Sequence, residues 1–181
     1  EQIVNSLFGY GSFNKEDVYN TSQALIFFSF CLPSFALIKV LSNFYFARNN
    51  TKLPFYISFF VMLINIIISL SLFKEYGFII IPIATSLSTW VGVIIYLIFL
   101  RRNKILFLKN ILTSNIFKIL ISTFLMSIFL YNGLNYFEDK FEYSNEFKLI
   151  YLLIMVGLSS TLYLIIAKIL GILNLKSYKI K

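Results

Sequence analysis

Five charge-free apolar runs follow one another along the chain: Val18–Ile38, Leu53–Phe73, Tyr76–Leu100, Ile119–Phe137 and Leu149–Ala167. Each has 19 or more residues. A hydrocarbon core about 30 Å thick takes about 20 apolar helical residues to cross. A helix on a soluble protein keeps one polar face, so it has no reason to exclude charge for that length. The pattern predicts an all-α protein: a polytopic membrane helix bundle with five transmembrane helices.

The breaks between the runs set the organisation. Residues 1–20 form an external leading segment, 21–110 carry the first three spans, and 111–181 carry the last two with a cytoplasmic tail. Asn14, or Asn20 with Thr21, is placed to cap the first helix, which runs to about Phe46. Pro33 lies inside it and is expected to kink or loosen it near Ser29. A tight loop covers Arg48 to Pro54, with Pro54 as an early helical residue of the second span. Lys74-Glu75-Tyr76-Gly77 is a short external turn, and Pro82 sits in the first turns of the third span. Residues 103–118 read as a basic connection with the character of an interfacial amphipathic helix. Gly157 and Thr161, four apart, suit close helix packing.

Charge gives the orientation. The leading segment and the gaps after the second and fourth spans hold Lys15, Lys74, Lys140 and Lys148, with all eight acidic residues. The other gaps and the C-terminus hold Arg48, Lys52, Arg101, Arg102, Lys104, Lys109, Lys118, Lys168, Lys176, Lys179 and Lys181. Cytoplasmic loops carry the excess of Lys and Arg. Eleven basic residues against four therefore place the C-terminus in the cytoplasm. The net charge of +8 is scattered over short loops rather than gathered on one soluble face, which argues against nucleic acid as the partner. It suits anionic lipid headgroups instead.

Catalytic chemistry has little to draw on. There is no histidine, and Cys31 is the single cysteine, within the first span. It reads as a small buried hydrophobe, and it excludes an internal disulfide. Glu138, Asp139 and Glu142 cluster in a loop, where a solvated acidic surface is the simple reading. No enzyme activity is expected. Lys39 is the one charge inside a span, and such a charge is costly in hydrocarbon. It either snorkels to the headgroups or attracts an anion in a wet cavity, being roughly 10 Å of helix from Phe46. Asn65 and Ser69 share a face of the second span, and Thr85 lies at matching depth on the third. Their oxygens serve either as interhelical hydrogen-bond glue or as ligands for a hard cation.

Several runs together resemble a known family. Leu7-Phe8-Gly9-Tyr10-Gly11-Ser12-Phe13, the run Leu32 to Leu41 (LPSFALIKVL), the loop Tyr45 to Pro54 (YFARNNTKLP) and the segment Ala84 to Val91 (ATSLSTWV) are similar to motifs of the MurJ/MviN family of lipid II flippases. They stand in the family's order over about residues 7–102. The resemblance implies a fourteen-span, two-lobe transporter of the MOP superfamily, with a lipid-tail groove formed by two extra helices. The five spans here would be its last five, so the remaining N-terminal spans would be partners. Its activity would be alternating-access transport of undecaprenyl-pyrophosphate-linked peptidoglycan precursor across the bacterial cytoplasmic membrane. Lys39 and Arg48 match motif positions and would contact substrate. The family's sodium site would correspond to Asn65, Thr85 and the Ile81 carbonyl, with Ser69 standing where Asp or Asn is usual. Other readings are another MOP-superfamily exporter, of polysaccharide-linked lipids or of drugs, or a membrane scaffold without a transport path.

The charge distribution makes a direct prediction. A reporter fused after Lys181 or inserted at Arg102 is expected in the cytoplasm, and one at Glu142 outside. External labelling at Arg102 in intact cells would contradict the five-span arrangement.

Overall fold

The computed structural model describes residues 1–102, 111–143 and 145–172. All regular secondary structure among the described residues is helical, with no strand among them. The helices are α1 (Gln2–Phe8), α2 (Lys15–Phe46), α3 (Lys52–Tyr76), α4 (Ile80–Arg102), α5 (Ile111–Tyr136) and α6 (Lys148–Ile169), with 3-10 turns at Gly77–Ile79 and Glu138–Phe141. Four helical stretches are long and apolar enough to cross a membrane: Lys15–Phe46, Lys52–Arg102, Ile116–Tyr136 and Lys148–Ile169. The second has 51 residues and would be roughly 75 Å long if straight, more than twice the hydrocarbon thickness. It instead folds back at Gly77 into α3 and α4. With that hairpin the chain offers five spans in an all-α membrane helix bundle.

Local chemistry explains the boundaries. Asn14, not Asn20, caps α2: the Asp17 amide donates to Asn14 Oδ1 at 3.0 Å, and the Asn14 amide donates to Asp17 Oδ2 at 3.0 Å. Each side chain thus satisfies the other residue's orphan donor. The helix runs on through Pro33 as one element to Phe46, the end expected for it. It closes with Asn49 in the left-handed region at φ 58°. The Asn50 amide reaches the Tyr45 carbonyl at 3.0 Å and the Asn49 amide the Phe46 carbonyl at 2.9 Å, the paired bonds of a Schellman end. Gly77 makes the reversal at φ 61°, ψ −147°, a region essentially restricted to glycine. The connection read as an interfacial helix resolves differently. Residues 111–118 are the opening turns of α5, while 103–110, with Lys104 and Lys109, lie outside the described residues. So do Lys176, Lys179 and Lys181.

The chain divides into two compact units, residues 19–107 and residues 1–18 with 108–181. The leading segment therefore clusters with the C-terminal hairpin rather than standing alone. In the first unit, Tyr45, Ile57, Tyr96 and Leu100 form a buried cluster, with Ile38, Leu53, Val61 and Ile95 packed against it. Gly92 lets α3 approach: a Cβ there would lie 2.7 Å from Val61 Cγ2.

In the other unit, Phe141, Leu152 and Met155 are buried together, against Leu134 and Tyr151. The close approach of α5 and α6 is at Gly133, where a Cβ would lie 2.1 Å from Met155 Cε. Gly157 has open space around it and Thr161 is exposed, so the small pair expected to mediate packing faces away from α5.

The polar centre of this unit is Lys148, which is fully buried at 0% exposure. Its ammonium donates to Gly9 O at 2.7 Å, Tyr143 O at 2.9 Å and Asn5 Oδ1 at 3.3 Å. It also lies 4.1 Å from the Tyr10 ring centroid and 4.7 Å from that of Tyr143. Asn5 Nδ2 in turn donates to Phe141 O at 2.7 Å, and the Tyr143 hydroxyl to Phe13 O. Three acceptors match the three donors of an ammonium, and the rings add cation–π attraction. α1 is thereby fastened to the start of α6. Lys148→Met should leave those acceptors without a donor, at a cost of about 3 kcal/mol. Amide exchange in Gln2–Phe8 is expected to rise on the order of 100-fold, with α3 and α4 unchanged.

Candidate functional site

Within the unit spanning residues 19–107, α2, α3 and α4 meet along a seam of hydroxyl and amide groups. It exists because a polar group in hydrocarbon must bond inside the protein. Asn65 Nδ2 donates to Thr85 Oγ1 at 3.0 Å, with Ser88 Oγ at 3.5 Å. Ser69 Oγ donates to Asn65 Oδ1 at 3.3 Å. Thr85 Oγ1 donates to Ile81 O at 2.8 Å. Nearer the middle of α2, Ser34 Oγ donates to Thr89 Oγ1 at 2.7 Å, and Thr89 Oγ1 donates to Thr85 O at 2.9 Å. Trp90 Nε1 reaches Phe30 O at 3.0 Å. That carbonyl is one residue from Ser29, whose carbonyl Pro33 leaves without its helical donor.

The seam brings Asn65, Ser69, Thr85 and the Ile81 carbonyl into one hydrogen-bonded group. These are neutral oxygens, and each is engaged with a neighbour. Turning the Asn65 amide over would present Oδ1 in place of Nδ2 toward Thr85. Its orientation is set by the surrounding network. Among the described residues no group of three or more His, Cys, Asp or Glu gathers as a metal site would. A cavity of about 340 Å³ runs alongside, walled by Phe35, Ile38, Ile57 and Met62 and floored by Asn65, Thr85, Ser88 and Thr89.

Lys39 and Arg48 are not brought together. Lys39 is exposed on α2, and its carbonyl accepts from Ser42 Oγ at 3.1 Å. Arg48 is nine residues further on, roughly 13 Å along the axis and half a turn round. Its guanidinium carbon lies 4.2 Å from the Phe44 ring centroid, stacked over the aromatic face. Cys31 is buried and free, and its thiol donates to Phe28 O at 2.9 Å. Glu138, Asp139 and Glu142 are exposed.

Sequence reasoning missed three polar features. Lys148 was counted as a loop charge, Ser34 and Thr89 appeared only within motifs, and Tyr96 was not singled out. The one signal for Lys148 was its place between aromatic residues and an apolar run.

Helices long and apolar enough to cross a membrane, joined by a polar seam, define a multi-pass membrane helix bundle. The family comparison narrows this. The model of the family described as "Lipid II flippase MurJ" matches residues 1–153, and the chain belongs to that family. It is 30% identical over 167 residues to the Lipid II flippase MurJ of Thermosipho africanus, covering 92% of this chain and 31% of that protein. It is 27% identical over 183 residues to the Probable lipid II flippase MurJ of Buchnera aphidicola subsp. Baizongia pistaciae, covering 99% of this chain and 36% of that protein. The Probable lipid II flippase MurJ of Borreliella burgdorferi is 29% identical over 182 residues, covering 98% and 35%. The chain thus spans about a third of the length of these relatives. It is a multi-pass membrane protein of a family named for transport, not for an enzymatic reaction.

Proposed function

We propose that this chain is the C-terminal part of a lipid II flippase of the bacterial cytoplasmic membrane, moving undecaprenyl-linked peptidoglycan precursor between leaflets by alternating access in cell wall biogenesis. The observation that carries this reading is the family match over residues 1–153, on a chain whose helices are long and apolar enough to cross a membrane. In this reading α2, α3 and α4 belong to the second lobe, α5 and α6 are the appended pair, and the other spans of the same protein complete the path. In this reading the C-terminus is cytoplasmic, which the distribution of basic residues supports under the positive-inside rule.

Moving a pyrophosphate through a low-dielectric layer requires compensating charge, because an unpaired charge at the membrane centre costs several kcal/mol. Lys39, an exposed cation within a span, is the residue of this chain suited to attract that anion, and Arg48 would meet it at the membrane surface. In the full-length protein Lys39→Ala is expected to slow translocation on the order of tenfold, equivalent to about 1.4 kcal/mol of contact. Lys39→Arg should retain more activity. Full complementation of a flippase-depleted strain by Lys39→Ala at normal expression would show that Lys39 only snorkels.

The oxygens of Asn65, Ser69, Thr85 and Ile81 would form part of a weak sodium site. Charge compensation would come from a carboxylate elsewhere in the full-length protein, so residues 1–181 alone should show no measurable sodium binding. A ion that binds only the folded state raises its stability by mass action. Full-length protein should therefore melt higher in sodium than in potassium, and Asn65→Leu should lose the difference while still folding. Equal melting temperatures of the wild type in both salts would leave Asn65 as packing glue.

A further inference from the structure

α2 is one helix from Lys15 to Phe46, with Pro33 inside it. Pro33 has no amide hydrogen, so the Ser29 carbonyl lacks its helical donor, and the ring presses toward that carbonyl. On the N-terminal side of the proline, two side chains turn back onto their own helix. Ser29 Oγ donates to Ile26 O at 2.6 Å, and Cys31 Sγ donates to Phe28 O at 2.9 Å. Bonds of this kind compete with the helical ladder and favour bending. The stretch from Ile26 to Pro33 is therefore the part of α2 that bends most readily.

Two consecutive residues of α4 grip this stretch on either side of the proline. Ser34, just past Pro33, bonds Thr89 Oγ1 at 2.7 Å. Trp90 Nε1 reaches Phe30 O, three residues before Pro33, at 3.0 Å. The two contacts are unlike. Ser34 and Thr89 are buried, at 0% and 4% exposure, and Thr89 is tied on to Thr85 O at 2.9 Å. The Trp90 contact is one indole hydrogen bond to a carbonyl. Past Ser34 the helix is anchored: Ile38, Leu41 and Phe44 pack against the buried cluster of Tyr45, Ile57, Tyr96 and Leu100. Lys39 is on this anchored arm, roughly 9 Å from Pro33. All these contacts are made among α2, α3 and α4, and they do not depend on what covers the outer faces of those helices.

We propose that α2 is hinged at Pro33, with the Ser34–Thr89 bond as pivot and Trp90 as the latch that holds the helix straight. Releasing Phe30 O lets the arm N-terminal to Pro33 swing, while the arm carrying Lys39 stays packed. The helix then has two discrete arrangements, straight and bent, as hinged transitions require. The use of this hinge in alternating access rests on the flippase reading above. There, the swinging arm would open and close the approach to Lys39 from its own side of the membrane without moving the charge.

The test is pulsed electron paramagnetic resonance on the full-length protein in lipid nanodiscs, with accessible native cysteines replaced. Spin labels go on exposed positions: Leu25 on the swinging arm paired with Ile98 on α4, and, as control, Val40 on the anchored arm paired with Leu70 on α3. Wild type should give two distances for the first pair and one for the control. Trp90→Phe should raise the ratio of bent to straight about fivefold, the weight of one net hydrogen bond. Pro33→Ala restores the missing amide donor and should leave the straight distance alone. A single first-pair distance in wild type, unchanged by Trp90→Phe, would overturn the hinge. Two distances that persist in Pro33→Ala would overturn it as well. These distances involve no substrate, so they test the hinge whether or not the flippase reading holds. Complementation of a flippase-depleted strain by Pro33→Ala is expected to fall, and full complementation would remove the hinge from the transport cycle.

Discussion

Hydrocarbon offers no water to a polar group, so every polar group in a span must find its partner within the protein. Most of this structure follows from that constraint. The backbone meets it by running as helix. Hydroxyls that face outward meet it by bonding their own helix: Ser29 to Ile26 O, Thr123 to Ile119 O, Ser127 to Thr123 O and Ser160 to Val156 O. Helix ends meet it with closed geometries, at Asn49 for α2 and at Gly171 for α6. There the Ile172 amide bonds Ala167 O at 2.9 Å and the Gly171 amide Lys168 O at 3.1 Å.

Polar groups that reach another helix do more than satisfy themselves. The bonds from Ser34 to Thr89, Asn65 to Thr85 and Trp90 to Phe30 fix how α2, α3 and α4 stand against each other. Apolar surface in a lipid solvent gives weak preference for one rotation of a helix over another, since lipid tails are as apolar as leucine. Each such bond is worth about 0.6 kcal/mol on average, but it selects a face. Lys148 is the extreme case. A buried cation is tolerable only when hydrogen-bonded on all sides, and its cage of Asn5, Gly9 and Tyr143 joins segments more than a hundred residues apart in sequence.

The same constraint separates structural polar groups from those suited to ligands. The seam around Asn65 is complete as it stands, so a cation would have to compete with bonds already made. Lys39 is exposed, so it is available to an anion. The Tyr96 hydroxyl is buried without a hydrogen-bond partner in the apolar cluster it forms with Tyr45, Ile57 and Leu100.

Much of the architecture was legible in the sequence because hydropathy is a property of a local window. The apolar runs gave the spans, and family membership followed from motifs spread along them. The meeting of Asn65 with Thr85 was legible too, since a short turn at Gly77 forces antiparallel pairing and equal distances from the turn give equal depth. The choice of Gly133 over Gly157 as the close approach was not. It depends on which side chain the neighbouring helix supplies. Lys148 was the plainest miss. In sequence it is one of several charges in a loop, and nothing local distinguishes a solvated lysine from a caged one. Its burial requires Asn5, Gly9, Tyr10 and Tyr143 to converge on one ammonium, and convergence of distant segments is a property of the tertiary structure alone.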